Sequence, residues 1–196
     1  MEQKRFEKQL AFLVEADKMK TIFRRTRLIT ENRREDDAEH SWHFALTALV
    51  LLEYAKDDVD INHVIQMALV HDLVEVYAGD TFAYDEQGYQ DKEQRELAAA
   101  DKIFGLLPDE QGRRLRALWE EFEAFETKEA CYANAIDRLQ PFINNAKTQG
   151  HTWREGSVTS AQVYKRMDAV RLYAPELWPF VTAVIDDAIE KGYLKP

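Results

Sequence analysis

The sequence predicts an all-α protein folded as a single helical bundle, and three observations carry that prediction. Apolar residues recur at the three-to-four-residue spacing of a helix face through most of the chain. Breakers are scarce: 7 Gly and 5 Pro in 196 residues provide few of the tight turns a many-stranded sheet needs. Hydrophobic residues are 45% and charged residues 32%, enough for one full core and little reason to expect two.

Taken in order, Phe6, Leu10, Leu13 and Val14 predict an opening helix to about residue 20. Residues 24–37, with arginines at 24, 25, 27, 33 and 34, are too irregular for a helix and read as an ordered loop or short extended piece. A wide apolar face (Phe44, Ala45, Ala48, Leu49, Leu51, Leu52) predicts a helix over 38–54. Asp60 is placed to cap the next, which the apolar pattern carries to about residue 78, where Gly79 fits a helix end. Residues 80–90 read as a loop that could act as a lid. Helices follow over 91–104 and 110–125, then one capped by Thr127 that presents Ile136, Leu139, Phe142 and Ile143 on one face. Residues 151–156 read as a loop, and 158–173 and 175–191 as the closing helices. No repeat or linker divides the chain, so residues 1–196 are expected to form one domain, with its motifs in 23–149 and the helices of 157–191 packed on it.

Charge and cysteine usage narrow the function. A net charge of −10 without a basic block argues against long nucleic acid as a partner. It leaves room for a small phosphorylated substrate, because a bound divalent cation reverses the local sign. Cys131 is the only cysteine, which excludes an intrachain disulfide and a cysteine-based zinc cluster. No run approaches 18 apolar residues, and residues 1–10 are too charged for a signal peptide core. No membrane span is expected, and the cytoplasm is the expected location.

The chemistry concentrates at His71-Asp72, set in an otherwise apolar segment. Imidazole nitrogen and carboxylate oxygen both suit first-row divalent metals. Adjacent helical residues point about 100° apart, so an ion held by both should sit where helices meet, with further ligands from elsewhere. His40 and Asp137 are the candidates, each in an apolar helical setting where an unpaired charge would be costly. An isolated His is more often a hydrogen-bonded core residue. The ordered set of His, His-Asp and Asp on three separate helices is far more specific. Glu75 lies three and four residues beyond the pair, and Asp80 follows in the next turn. Both are placed to move protons or position water near a metal, or to orient its ligands.

Three runs, Ala-Glu-His40-Ser-Trp-His, Leu-Val-His71-Asp72-Leu-Val-Glu75-Val-Tyr-Ala-Gly-Asp80-Thr and Ala-Ile-Asp137-Arg-Leu-Gln, together resemble the HD-domain superfamily of metal-dependent hydrolases. Within it they are most similar to the branch of YfbR-type 5'-deoxynucleotidases and their eukaryotic HD-domain-containing relatives. The resemblance implies a helical bundle around one divalent metal (Mn, Co, Fe, Ni, Zn or Mg) held by His40, His71, Asp72 and Asp137. It implies catalytic roles for Glu75 and Asp80, a phosphate contact for Arg25, a nucleotide or similar small phosphate ester as substrate, and a homodimer. Thr26 stands where that branch has a tryptophan after the arginine, which leaves deoxy against ribo preference open. Phosphodiesterase and triphosphohydrolase activities, and a non-catalytic metal or nucleotide sensor, are the competing readings. Arg24, Arg33 and Arg34 are alternatives for the phosphate contact, with surface solvation the favoured reading of each, and His43 is expected beside the ligands or in the core.

Overall fold

The computed structural model describes residues 2–85 and 87–196. Ten α-helices are connected by short turns and, among the described residues, one two-stranded hairpin. Helix α1 (Glu2–Ala16) runs into a 3₁₀ turn at Asp17–Thr21, the last part of the predicted opening helix. The arginine-rich stretch takes the extended alternative: β1 (Phe23–Arg27) pairs antiparallel with β2 (Arg34–Asp36), Phe23 opposite Asp36 and Arg27 opposite Arg34. Alternation along β1 sends Arg24 and Arg25 to opposite faces. Asp36 then caps α2 (Asp37–Val50): it accepts from the Glu39 amide at 2.8 Å, and the Glu39 carboxylate accepts in return from the Asp36 amide.

Asp60 caps α3 (Ile61–Val70) as expected, its carboxylate accepting from the Asn62 and His63 amides. The helix predicted to run on to residue 78 stops instead at Val70. The His71 ring bonds the Ala68 carbonyl at 3.0 Å, the acceptor that a continuing helix would offer to the Asp72 amide. Tight turns follow, Leu73 N–H to Val70 and Glu75 N–H to Asp72, before the short α4 (Glu75–Ala78). Gly79 ends it at φ 76°, ψ 151°, a conformation all but restricted to glycine, and so releases Asp80 from the helix axis.

The segment after Gly79 is pinned by Arg95, which donates to the carbonyls of Ala78 and Gly88 and to the Thr81 hydroxyl. Arg95 belongs to α5 (Lys92–Phe104), which is followed by α6 (Asp109–Ala124). Thr127 caps α7 (Lys128–Lys147), the axis of the fold: its neighbours are α2, α3, α6 and the later α9 (Ser160–Tyr173). The predicted loop at 151–156 is instead α8 (His151–Glu155), entered through Gly150 at φ 62°. Five residues are too few to display a helical period. What holds them is burial of Trp153 against Phe142, with ring centroids 5.5 Å apart, and an Asn145 side chain that accepts from the Thr152 amide. Helix α10 (Trp178–Glu190) closes the bundle.

Candidate active site

Helices α2 and α7 and the turn after α3 bring His40, His71, Asp72 and Asp137 to one point beneath the hairpin. His40 Nε2 lies 3.3 Å from His71 Nε2 and 3.0 Å from Asp137 Oδ1, and His71 Nε2 lies 3.1 Å from Asp72 Oδ2. His40 and Asp72 are 3.8 Å apart, His71 and Asp137 3.7 Å. Where α3 ends, the His71 and Asp72 side chains converge, with His71 Nε2 3.1 Å from Asp72 Oδ2. All four side chains are largely buried.

The hydrogen bonds around the centre define what it can hold. The Ala68 carbonyl can only accept, so His71 Nδ1 carries a hydrogen and its Nε2 points inward. His40 Nδ1 faces the Gln140 carbonyl oxygen at 2.8 Å, and its Nε2 also points inward. Two imidazole nitrogens and two carboxylates therefore converge where positive charge is required. Burial opposes charge on His71, yet Asp72 and Asp137 together raise it to about 10. Burial likewise disfavours the anionic Asp137 and Asp72. The two imidazoles outweigh it for Asp137, and His71 with Arg24 for Asp72, so both carboxyls fall below their usual range. A divalent cation fits this donor set, which matches the N/O ligands of first-row metals.

Arg24 corrects the sequence reading. It is not a surface residue but an inward cation, only 12% exposed, donating to Asp72 at 2.7 Å and to Asp37 at 3.4 Å. Arg33 and Arg34 do lie at the surface. Arg25, on the opposite face of β1, sits 4.7 Å from the centre of the Phe82 ring at the mouth of the site.

Beside the His/Asp group lies a second cluster, Glu75, Asp80 and Asp37, with oxygens within 4.8 Å of one another. Burial is the main cause that holds Glu75 well above the usual carboxyl range, reinforced by Asp72 and Asp37. Burial and Asp72 push Asp37 up to about 7, and burial raises Asp80. Glu75 Oε2 and Asp37 Oδ2 are buried without a partner. Carboxyls shifted upward in this way are groups suited to proton transfer.

Both clusters border a cavity of about 270 Å³. Arg24, Arg25, Lys92, Arg138 and Arg166 line it together with the acids Asp72, Glu75, Asp80, Glu123 and Asp137, and Phe82, Tyr84 and Trp153 supply apolar surface. Thr152 and Trp153 of α8 reach the cavity, while the His151 imidazole is not part of its lining. His63 is paired with Glu121 at 2.8 Å, and neither side chain lines the cavity.

Several of these residues were not legible beforehand. Asp37, Lys92, Arg166 and Glu35 carry no local motif, and Arg138 and Gln140 lie in the Asp137 run without a signal of their own. The one usable signal was the alternation of a strand at 23–27, which would have turned Arg24 inward.

An HD domain family model matches residues 16–178, and the chain belongs to that family. A solved structure from Magnetospirillum magnetotacticum MS-1, described as a "predicted metal-dependent phosphohydrolase", is 48% identical, covers 98% of this chain and 96% of its own, and superposes with a TM-score of 0.93. The human 5'-deoxynucleotidase HDDC2 is 31% identical over 57% of this chain and 53% of its own length. Its Xenopus laevis counterpart is 28% identical over 78% and 73%. The chain thus spans about half the length of the human relative it matches.

Proposed function

We propose that this chain is a metal-dependent phosphohydrolase acting on nucleoside 5'-monophosphates, deoxy or ribo, or on similar small phosphate monoesters. The observation that carries the reading is the meeting of four convergent His and Asp donors and a cluster of three buried or half-buried carboxyls at one cavity that also presents arginines. That cavity is close to the lower end of roughly 300–1,000 Å³ for small-molecule sites, a size suited to one small ester.

His40, His71, Asp72 and Asp137 would hold one divalent cation. When bound, such a cation polarises a phosphoryl oxygen and makes water more acidic. The remaining work falls to the chain. Asp80 takes a proton from the attacking water, and Glu75, retained in its acid form, delivers one to the leaving oxygen. Arg25 neutralises phosphate charge at the mouth through paired N–H donors.

The test is phosphate release from mono-, di- and triphosphates and cyclic nucleotides, ribo and deoxy. Each divalent metal is added in turn to chelator-stripped protein. Monophosphates should be cleaved fastest; release only from di- or triphosphates, or none with any metal, overturns the reading. Arg25→Ala should lower kcat/KM by roughly 10–100-fold, the loss of one charge-assisted contact, chiefly through KM. An unchanged KM removes Arg25 from phosphate binding.

We also infer a homodimer. Trp42, Leu46, Leu49 and Val50 form an exposed apolar stripe along α2, at 65%, 42%, 51% and 63% exposure. Sedimentation should give twice the chain mass, and Leu49→Glu should shift it toward the monomer. A monomeric parent protein ends this inference.

A further inference from the structure

We propose that Gln140, oriented by the buried Glu35 carboxylate, is a positioning residue that sets the tautomer of His40 and thereby presents its Nε2 lone pair to the cation. The inference rests on His40 being a metal ligand, as proposed above.

Gln140 and His40 are fully buried, and Glu35 is 1% exposed. A primary amide in a dry interior can be inserted in two senses that differ by exchange of its O and NH₂ ends, and only its neighbours choose between them. Here Glu35 chooses. Its Oε1 accepts from Gln140 Nε2 at 2.8 Å, so the NH₂ end of the amide faces it. Asn144 donates to the same oxygen at 3.3 Å and helps hold the carboxylate in place. The second hydrogen of Gln140 Nε2 points to His43 Nδ1 at 2.9 Å, which therefore accepts. Both donors being committed, the carbonyl end of Gln140 is left for His40 Nδ1 at 2.8 Å. That oxygen cannot donate, so His40 carries hydrogen on Nδ1, which leaves Nε2, facing His71 and Asp137, as the nitrogen able to present a lone pair to a cation.

The polarity thus runs in one direction, from the Glu35 carboxylate through the amide to the imidazole. Reversal would set the amide oxygen against a carboxylate oxygen at 2.8 Å, and would offer His40 a donor where its own Nδ1–H now points. His71 reaches the same state by a different route, through the Ala68 carbonyl, so only His40 needs a side-chain relay. Partners of this kind, one bond removed from the metal, are worth roughly 10–100-fold in affinity.

The test uses the full chain, with Mn²⁺ titrated calorimetrically into stripped protein and nitrogen-15 spectra recorded on histidine-labelled, Zn²⁺-loaded protein. Gln140→Met keeps the volume and removes every polar atom. It should weaken Mn²⁺ binding by about 10–100-fold and abolish a slowly exchanging ring N–H at His40 Nδ1. The exchange E35Q/Q140E returns an acceptor to His40 and a donor to its neighbour, and should bring Mn²⁺ affinity back to within a few-fold of the parent, which a residue that merely fills space would not do. Parent-like Mn²⁺ binding by Gln140→Met, no recovery in the exchange, or a parent spectrum with the His40 proton on Nε2 each overturns the proposal. The last reading needs no variant and decides the matter even if Gln140→Met fails to fold. Parent protein that binds no Mn²⁺ at all instead overturns the metal-site reading, so the two failures are separable.

Discussion

Asp137→Asn is expected to abolish divalent-cation binding and phosphate release together while leaving the fold in place. Asp137 contributes one of two carboxylates at the centre, and its Oδ1 lies 3.0 Å from His40 Nε2. An amide of the same shape can turn its NH₂ to that nitrogen, so the buried imidazole keeps a partner and the metal-free fold is spared the cost of an orphaned group. What disappears is a formal negative charge in a site whose purpose is to concentrate negative charge. Two measurements check this. At a thousand times Kd, a cation that binds only the folded parent stabilises it by about 4 kcal/mol, a rise in Tm of roughly 8–16 °C at this chain length. Asp137→Asn should show no such rise at the same concentration, with a metal-free Tm within about 4 °C of the parent. Phosphate release should fall by about a thousandfold or more, equivalent to roughly 4 kcal/mol of lost transition-state stabilisation. A full metal-induced rise in Tm for this variant would take Asp137 out of the ligand set.

That His40, His71, Asp72 and Asp137 belong together could be read from the sequence because each breaks an apolar pattern: a His or Asp inside a buried helical face is conspicuous, and four of them in order are specific. The residues that orient them are not conspicuous. Gln140 and Asn144 sit in a helix where amides are ordinary, and Glu35 sits in a three-residue strand too short to show a period. Their roles follow from partners a hundred residues away, such as Glu35 and Gln140, which no local window joins. The helix break at His71 was hidden for a related reason. Its apolar spacing continues across the break, and the competition that ends the helix is between a ring nitrogen and a backbone amide for one carbonyl. The inward turn of Arg24 is invisible in the sequence until the strand's alternation is known. Once β1 exists, one of two consecutive arginines must point inward, and Asp72 supplies the reason it can.

Glu75→Gln separates catalysis from metal binding and is expected to move stability in the opposite direction to activity. Glu75 adjoins the metal ligands in the turn that follows them, but its oxygens group with Asp37 and Asp80. Burial is the largest cause that keeps its proton on, followed by the charges of Asp72 and Asp37. If it delivers that proton to the leaving oxygen, the amide variant should lose about 10²–10⁴-fold in kcat, the ordinary worth of a general acid, while binding Mn²⁺ as the parent does. Turnover at the parent rate would remove Glu75 from the reaction. The stability consequence has a definite sign. A carboxyl whose folded pKa is raised contributes its stability in full below the unfolded value, near 4.3 for glutamate, and loses it as pH rises through the folded value, because the unfolded chain releases its proton first. An amide does not titrate. In chelator, where the stripped protein is compared with its variant, Glu75→Gln should therefore melt at a higher temperature than the parent from neutral pH upward, with the difference narrowing as pH is lowered toward 4.3. Asp37, raised to about 7, loses stability over the same direction of pH and should still do so in the variant, so part of the alkaline decline persists. A variant less stable than the parent at pH 8 would mean that the carboxylate is held by contacts stronger than its burial, and would argue against a proton kept there for catalysis. A buried acid retained at a cost to folding is the pattern expected of a group selected for its reaction rather than for the core.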